Sequence, residues 1–452
     1  MRTKPAVAIW IFVLFAFSLI SAYLTQSQAM QSIGTGFAGA LHLQGTLGSG
    51  VAKHLIPRCI GLLWAFALGL TYLAFVPFTT ETKSQKIVFM AGLLPALVIA
   101  VLLGTRRDYW DYVREWQWDL QGRNPWTMPS EYTTFPKNPY GPLFNIFAPL
   151  TLASIYLPKI IFVLVDFHFF RLLARRLNWN RKLFLLFFSP FLAIEVIVNG
   201  HMDSLVGALC IAAFLTSNEW AAASSLAAAM LLKFYPALLI PMFFGLRKNG
   251  RATRTVALSL LLVFCLGLAY ALWGKEIFTP FRTNATRYVQ GVGFNYAFNS
   301  LARRFVGLAA SRMVLKFVFI FGTLGTIVCC YMRRMEPFSA AFVTLLWVFN
   351  FNTVTNIQYM AVLVYLAAFL LWPELQGQKE PAPKPLINSL LIFVLALNCV
   401  ESINESNAQL HLRLDERILH LNFSESVLIG MCSVLLYSQV MRYGRKQSII
   451  LE

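Results

Sequence analysis

Long apolar runs separated by short polar segments follow one another along the whole chain. Apolar runs of membrane-spanning length occur near 6–24, 58–78 and 86–104, and similar runs recur up to the carboxyl end. A helix of about 20 apolar residues crosses the hydrocarbon core of a bilayer. The pattern therefore predicts an all-α polytopic membrane protein, a bundle of about 14 transmembrane helices in which every backbone polar group is bonded within its own helix.

Clusters of basic residues between the apolar runs predict the orientation of the chain. Lys and Arg are enriched in cytoplasmic loops, and placing the clusters there puts both termini in the cytoplasm. Four connections then lie on the external or lumenal side: 25–57, 105–141, 273–311 and 402–423. The stretch 142–157 is too short before Pro158 to cross comfortably. We therefore expect it to form a re-entrant or interfacial helix on the external face.

Composition supports the membrane class and explains the charge. The 452 residues are 58% hydrophobic and 13% charged, with a net charge of +18, whereas soluble proteins carry about 25% charged residues. In a soluble protein this charge would suggest nucleic acid, but here cytoplasmic loops account for it and no nucleic-acid partner is expected. The seven cysteines lie in or beside apolar segments without zinc-ligand spacing, so no metal site is predicted.

Three parts of the chain are distinguished by pattern. Residues 1–85 are predicted to form two amino-terminal transmembrane helices, and residues 86–372 a transmembrane core that contains the polar segments described below. Residues 373–452 begin with a cytoplasmic linker rich in Pro and Lys and continue into a pair of transmembrane helices.

The 105–141 connection concentrates acidic and aromatic residues. It contains five of the twenty acidic residues of the chain: Asp108, Asp111, Glu115, Asp119 and Glu131. Tryptophans between them favour a membrane–water interface, and the pattern from Asp108 to Gly122 is that of an interfacial helix. Most acids of this helix are expected to face water. Asp108 is the exception, because it follows a span directly and neighbours Tyr109 and Tyr112.

A second polar group follows an apolar run at 184–204. Glu195, Asn199 and Asp203 are spaced four apart, which predicts one face of a helix. Ionisable residues at membrane depth usually line a cavity or a substrate path; a polar seam between packed helices is the alternative. His201 is able to donate to a phosphate or a carbonyl, or is simply solvated.

Lys233 and Tyr235 mark a break between two short apolar helices, since Pro236 cannot continue the first one. Lys233 offers an ammonium to an anion such as a lipid phosphate. The alternative is that it snorkels to lipid headgroups.

Two further segments carry candidate ligand-binding residues. Arg282 and Arg287 lie in the external 273–311 connection, where positive charge suits a phosphate head group or pairs with the acids of 105–141. The amide-rich segment around Asn356, Gln358 and Tyr359 suggests recognition of hydroxyl groups, or a hydrogen-bonded helix seam.

These motifs together resemble a known family. Asp108-Tyr109, the segment NPYGPL at 138–143, NGHMDS at 199–204, LLKFYPALLIP at 231–241 and FNTVTNIQYM at 351–360 are similar to the GT-C superfamily of integral-membrane glycosyltransferases. The closest likeness is to polyprenyl-phosphate-mannose-dependent mannosyltransferases, both the bacterial type that elongates phosphatidylinositol mannosides and the first mannosyltransferase of GPI-anchor synthesis. The likeness covers roughly 90–360, and Arg106 stands where the GPI branch has the first acid of a DxD pair.

The resemblance implies a function. Such enzymes move a sugar, here expected to be mannose, from a polyprenyl-phosphate donor to a hydroxyl of a lipid or glycan acceptor, with inversion, on the external face of a bacterial inner membrane or of the endoplasmic reticulum. The likeness makes Asp108 the catalytic base and places Lys233 near the donor phosphate. The expected substrate-binding residues are Tyr109, Tyr112, Glu195, His201, Asp203, Lys233, Tyr235, Arg282, Arg287, Asn356, Gln358 and Tyr359. No cofactor is expected, metal dependence stays open, and a transporter or flippase of lipid-linked sugars is the alternative.

Overall fold

The regular structure of this chain is helical. The computed structural model describes residues 93, 96, 97, 100, 101, 107–128, 140–177, 183, 186, 187, 189–245, 250–279, 296–351, 357–376, 382–407 and 419–443. Across these residues there is no strand, which confirms the all-α prediction. The α-helices are α1 (Arg107–Leu120), α2 (Leu150–Ala153), α3 (Leu157–Arg176), α4 (Asp203–Leu215), α5 (Glu219–Leu232), α6 (Ile240–Gly245), α7 (Arg251–Trp273), α8 (Tyr296–Met332), α9 (Pro337–Phe351), α10 (Met360–Leu371), α11 (Lys384–Asn407) and α12 (Leu419–Tyr443).

Short helical turns connect several of these helices. One α-helical turn, Pro190–Leu192, leads into a π-helical turn, Ala193–Val198. The 3₁₀ turns are Pro125–Thr127, Pro142–Phe147, Tyr235–Leu239, Gly274–Phe278, Ile357–Tyr359 and Pro373–Gln376.

Helix α4 lies at the centre of the packed core. It contacts α3, α5 and α10, and its Phe214 ring lies 5.7 Å from Phe338 of α9. Phe338 in turn stacks on Phe369 of α10 at 4.2 Å. Because α4 is surrounded by neighbours, the polar residues at its amino-terminal end are held away from solvent, and the candidate site is built there.

Among the described residues, one helical unit has the length and apolar composition to cross a membrane. It is Arg251–Phe278, α7 with its following turn, and only 17% of its most apolar window is buried. A second candidate is the pair Pro142–Ala153 and Leu157–Arg176, which is bent by 117° at the break between its two helices. The predicted spans near 6–24 and 58–78, and with them residues 1–85, lie outside the described residues.

The bend at 154–156 separates the 142–157 stretch from α3. Ser154 ends α2 in an extended conformation, and its backbone N–H donates to the carbonyl oxygen of Leu150. Pro158 lies in the first turn of α3, where its fixed φ suits the helix. A bend of this size between two apolar helices occurs in a broken span as well as in a re-entrant loop.

The connection predicted at 273–311 is shorter than expected. Residues from Tyr296 onward belong to the 37-residue helix α8, so the carboxyl-terminal part of that stretch is helical rather than loop. The prediction of a loop up to 311 was therefore wrong. It was based on the polar residues of this stretch, although the Leu, Ala and Arg residues that follow Tyr296 have high helix propensity. Similarly, α11 extends to Asn407 and α12 begins at Leu419, which shortens the 402–423 connection.

The two carboxyl-terminal helices pack on each other and on the rest of the bundle. Helix α12 contacts α11, α8 and α9. The hydroxyls of Thr326 on α8 and Tyr437 on α12 are 2.9 Å apart, and the Tyr437 ring lies 5.4 Å from Trp347 of α9. The helices after the 373–385 linker are therefore part of the same packed body.

Candidate functional site

The predicted break after α5 is present and shapes the site. Lys233 ends the helix in an extended conformation, with φ −140° and ψ 142°, and the turn that begins at Tyr235 follows. The backbone of Gly141 lies against the last turn of α5, and its N–H donates to Leu232 O at 3.1 Å. A Cβ on Gly141 would lie 2.2 Å from Leu231 O. The glycine of the NPYGPL segment thus permits this close contact.

A buried ion pair occupies this break. Lys233 Nζ donates to Asp203 Oδ2 at 2.7 Å, and the Tyr235 hydroxyl donates to Asp203 Oδ1 at 3.1 Å. Both charged side chains are buried. The Lys233 ammonium also lies 4.6 Å from the centre of the Tyr359 ring and 5.6 Å from that of Tyr140. The snorkelling alternative is therefore wrong, because the ammonium faces a carboxylate and two aromatic rings.

Glu195, Asn199 and Asp203 do not lie on one face of a continuous helix, contrary to the prediction. The π-helical turn ends at Val198, the chain reverses through Gly200 with φ +68°, and α4 begins at Asp203. The four-residue spacing favours a helix, but the pair Asn-Gly within it favours a turn, because glycine adopts positive φ without strain. All three side chains are nevertheless buried.

His201 is held by Glu195 rather than solvated. Its Nδ1 forms a short hydrogen bond with Glu195 Oε2, and its backbone N–H donates to Glu195 O at 2.9 Å. Both side chains are buried. A carboxylate on one imidazole nitrogen fixes the orientation of the ring and stabilises its protonated form. The pair is thus suited to holding or moving a proton.

The acidic helix α1 turns part of its charge toward the core. Asp111 and Glu115 are buried with Tyr112, so the expectation that these acids face water is wrong. The Tyr112 ring lies 4.9 Å from Tyr140 and 6.5 Å from His201. The backbone of Asp108 belongs to α1, and its side chain lies outside the described part of the structure.

Tyr109 joins α1 to the start of α3. Its hydroxyl donates to Ile155 O at 2.6 Å and accepts the backbone N–H of Lys159 at 3.2 Å. Burial raises the pKa of Tyr109, so the phenol stays protonated and serves as a fixed donor.

Lys159 is the residue that sequence reasoning missed. Its side chain is fully buried, and its ammonium lies 5.7 Å from the centre of the Tyr109 ring. A Cβ on Gly200 would lie 2.8 Å from Tyr109 Cδ2 and 3.0 Å from Lys159 Cγ. The signal was present, because Lys159 is a lone lysine at the start of an apolar run, where a charged residue is costly unless it has a role.

The far end of α1 is anchored to the end of α7. Trp273 Nε1 donates to Asp119 Oδ1 at 2.9 Å, and Asn124 Nδ2 donates to Trp273 O at 2.6 Å. The Trp126 ring meets Trp273 edge to face at 5.4 Å. Burial raises the pKa of Asp119, although the bond from Trp273 acts in the opposite direction. These contacts join the acidic segment to the 273–311 segment through a tryptophan.

The remaining predicted residues divide into two groups. Arg282, Arg287 and Asn356 lie outside the described residues. Gln358 is buried, and Tyr359 reaches the ion pair with its ring, which lies 5.5 Å from that of Tyr235. In the described ranges, no group of three or more His, Cys, Asp or Glu side chains is placed to hold a metal ion.

The site thus combines paired charges with aromatic walls. Asp203 with Lys233 and Glu195 with His201 are two buried acid–base pairs at adjacent chain breaks, and tyrosines surround them. Such an arrangement is able to bind a polar or anionic group away from water and to transfer protons. No family model, curated protein or solved structure matched this chain.

Proposed function

We propose that this protein is an integral-membrane glycosyltransferase that moves a sugar, mannose in the first instance, from a polyprenyl-phosphate donor to an acceptor hydroxyl. The observation that carries the proposal is the convergence of four distant segments. Tyr112, His201, Lys233 and Tyr359 come from segments that carry the family resemblance, and aromatic and ionic contacts link them around one buried polar cluster.

The distribution of polarity supports a membrane setting. Helix α7 is strongly apolar, yet little of it is buried, and Val263, Phe264 and Leu272 are among its exposed side chains. An apolar helix in the core of a soluble protein would be covered on most sides. Here charged residues such as Asp203 and Lys233 are inside and large apolar residues are outside, as lipid favours. Further spans, to a total of about 14 with the site on the external face, belong to the proposal.

The donor phosphate belongs beside Lys233 in this proposal. Its ammonium already donates to Asp203, so a bound phosphate and the Asp203 carboxylate would both accept hydrogen bonds from it. The leaving phosphate gains a charge as the glycosidic bond breaks, and a fixed cation such as the Lys233 ammonium, with three N–H donors, stabilises it. The aromatic rings of Tyr140 and Tyr359 would exclude water from the same place.

The acceptor hydroxyl needs a general base, and two carboxylates compete for that role. Asp108 is the residue that the family resemblance favours. The Glu195–His201 pair is the competitor, because it is buried close to the same helix. The ring centres of His201 and of Tyr112 on α1 are 6.5 Å apart. Removing a general base lowers the rate by about 10²–10⁴-fold.

The test compares Asp108→Asn with Glu195→Gln in purified protein supplied with a panel of polyprenyl-phosphate sugars. Each substitution keeps the shape and removes the carboxylate. We expect Asp108→Asn to lower kcat by about 10²–10⁴-fold with unchanged thermal stability. A near wild-type rate for Asp108→Asn together with a large loss for Glu195→Gln would assign the base to the Glu195–His201 pair. Glu131→Gln, at an acid farther along the same connection, is the matched control and should leave the rate unchanged.

A further inference from the structure

Two buried neutral side chains at the site have no hydrogen-bond partner among the described residues. Asn199 is 1% exposed and its amide oxygen and nitrogen are both unbonded, and Ser204 is fully buried with its hydroxyl unbonded. Neither makes a side-chain hydrogen bond in the described part of the chain. Buried polar groups in folded proteins are almost always paired. Unsatisfied ones at a site therefore indicate a bound group.

Both side chains belong to the reversal that builds the cluster. Asn199 directly precedes Gly200, where an added Cβ would meet Tyr109 and Lys159. Ser204 directly follows Asp203, in the first turn of α4. Met202 is the N-cap of that helix and makes no side-chain capping bond. The unpaired groups are thus flanked on both sides by residues of the site.

The chemistry of these groups selects the kind of ligand. The neighbouring charges are already matched, Glu195 with His201 and Asp203 with Lys233. The unused capacity consists of an amide, which both donates and accepts, and a hydroxyl, which does the same. An anion offers only acceptors. Adjacent hydroxyl groups, as on a sugar ring, offer a donor and an acceptor each and match both side chains.

We infer that the Asn199 carboxamide and the Ser204 hydroxyl bind hydroxyl groups of the transferred sugar and thereby select which sugar is used. The inference rests on the proposed function and deepens it. Asn199 Nδ2 donates to one sugar hydroxyl while its Oδ1 accepts from a neighbouring one. Ser204 adds a third contact. Neither residue makes or breaks a covalent bond, so their effect lies in binding and selectivity.

The test pairs variants with deoxy-sugar donors. The kcat/KM of wild type, Asn199→Ala and Ser204→Ala is measured with the best polyprenyl-phosphate sugar and with its monodeoxy analogues. Wild type is expected to lose about 10- to 100-fold on the analogue that lacks the bound hydroxyl, and Asn199→Ala to lose as much on the natural donor. In Asn199→Ala, the deoxy analogue should have the same kcat/KM as the natural donor, because the contact with that hydroxyl is already absent.

A parallel series with deoxygenated acceptors identifies the source of the hydroxyls. If Asn199→Ala removes discrimination among acceptors and not among donors, the inference is wrong in naming the transferred sugar. Unchanged selectivity on both sides would mean that water fills the place, and the inference fails. A wild type that transfers no sugar from any donor refutes the proposed function itself, which keeps the two failures separate.

Thermal unfolding without substrate separates ligand binding from a structural role. Asn199→Ala removes buried groups that have no partner, so its Tm should equal or exceed that of wild type. A structural asparagine would lower the Tm on removal. Ser339→Ala is the matched control for Ser204→Ala, because the buried Ser339 hydroxyl is bonded to Glu336. This control should lower the Tm and leave sugar selectivity unchanged.

Discussion

At the scale of single residues, the Asp203–Lys233 pair is the feature on which the site depends. Removing one member of a buried ion pair leaves an uncompensated charge and typically costs about 3–5 kcal/mol, whereas removing both is often close to neutral. We expect Lys233→Met to lower the Tm strongly and Asp203→Asn/Lys233→Met to recover much of the loss. Thermal unfolding of the purified variants measures this.

The control for that cycle is Glu219→Gln. Glu219 forms an ion pair with Arg254 at the same 2.7 Å distance, but its side chain is 24% exposed. The carboxamide that replaces the Glu219 carboxylate still accepts from Arg254, which also donates to Phe243 O at 2.9 Å, so the loss of stability should be smaller. A double variant no more stable than Lys233→Met would contradict the assigned pairing.

The residue scale also shows what sequence could predict about the site. Lys233 and Asp203 were found because charge inside an apolar segment is costly and therefore informative. Their pairing was not predicted, since 30 residues separate them in the chain. The role of Lys159 was missed for a related reason. Its neighbours Tyr109 and Gly200 lie far away in sequence and come together only through the bend before α3.

At the scale of elements, the reversal at Gly200 positions the polar residues and invites a matched comparison. Gly200 and Gly122 have nearly the same positive φ, +68° and +71°, but only Gly200 has neighbours where a Cβ would lie. Alanine in this conformation costs about 1–2 kcal/mol from backbone strain alone. Gly122→Ala should show only that cost.

Gly200→Ala should cost more, because its Cβ would also displace the Tyr109 ring and the Lys159 stem. Crowding of a packed site adds about 1–3 kcal/mol. Thermal unfolding of both variants gives the difference, and activity should fall only for Gly200→Ala. Equal losses of stability would mean that Gly200 has no close neighbours, against the packing described above.

The anchor between α1 and α7 makes a prediction about pH. Because burial raises the pKa of Asp119 above its usual 3.8, the folded state binds this proton more tightly than the unfolded state does. Ionisation of Asp119 therefore weakens the folded state as pH rises above about 4. Asp119→Asn keeps an oxygen that accepts from Trp273 and removes the charge. Its Tm should exceed that of wild type by an amount that grows between pH 4 and pH 8, and a lower Tm at pH 8 would contradict this.

Elements were predicted unequally well. The helix at 107–120 and the break after Leu232 followed from helical spacing and from Pro236, which are local signals. No local sequence signal predicted the π-helical turn at 193–198. Its Glu195 contacts His201, which lies beyond the turn at Gly200, and helical spacing does not predict such a contact. The amino-terminal part of helix α8 was predicted as a loop because the residues near Tyr296 are polar. Polar residues also occur in helices, so polarity alone does not define a loop.

At the scale of the whole molecule, the basic clusters predict the sides on which the connections lie. Cysteine accessibility labelling of Ser130→Cys and Gln447→Cys, both outside the described residues, should report opposite sides of the membrane. The prediction follows from the preference of Lys and Arg for the cytoplasm. Labelling of both positions from the same side would contradict the topology and the external placement of the site.

The most direct test of the central claim follows the sugar itself. Purified protein in lipid nanodiscs is mixed with radiolabelled polyprenyl-phosphate mannose and a hydroxyl acceptor, and the chemical form of the label is measured over time. We predict that label leaves the lipid phosphate and appears on the acceptor with inverted configuration, in wild type and not in Asp108→Asn. The contradictory result is a donor that stays intact with every acceptor and sugar of the panel, while the same protein in vesicles moves it across the bilayer, as a flippase would.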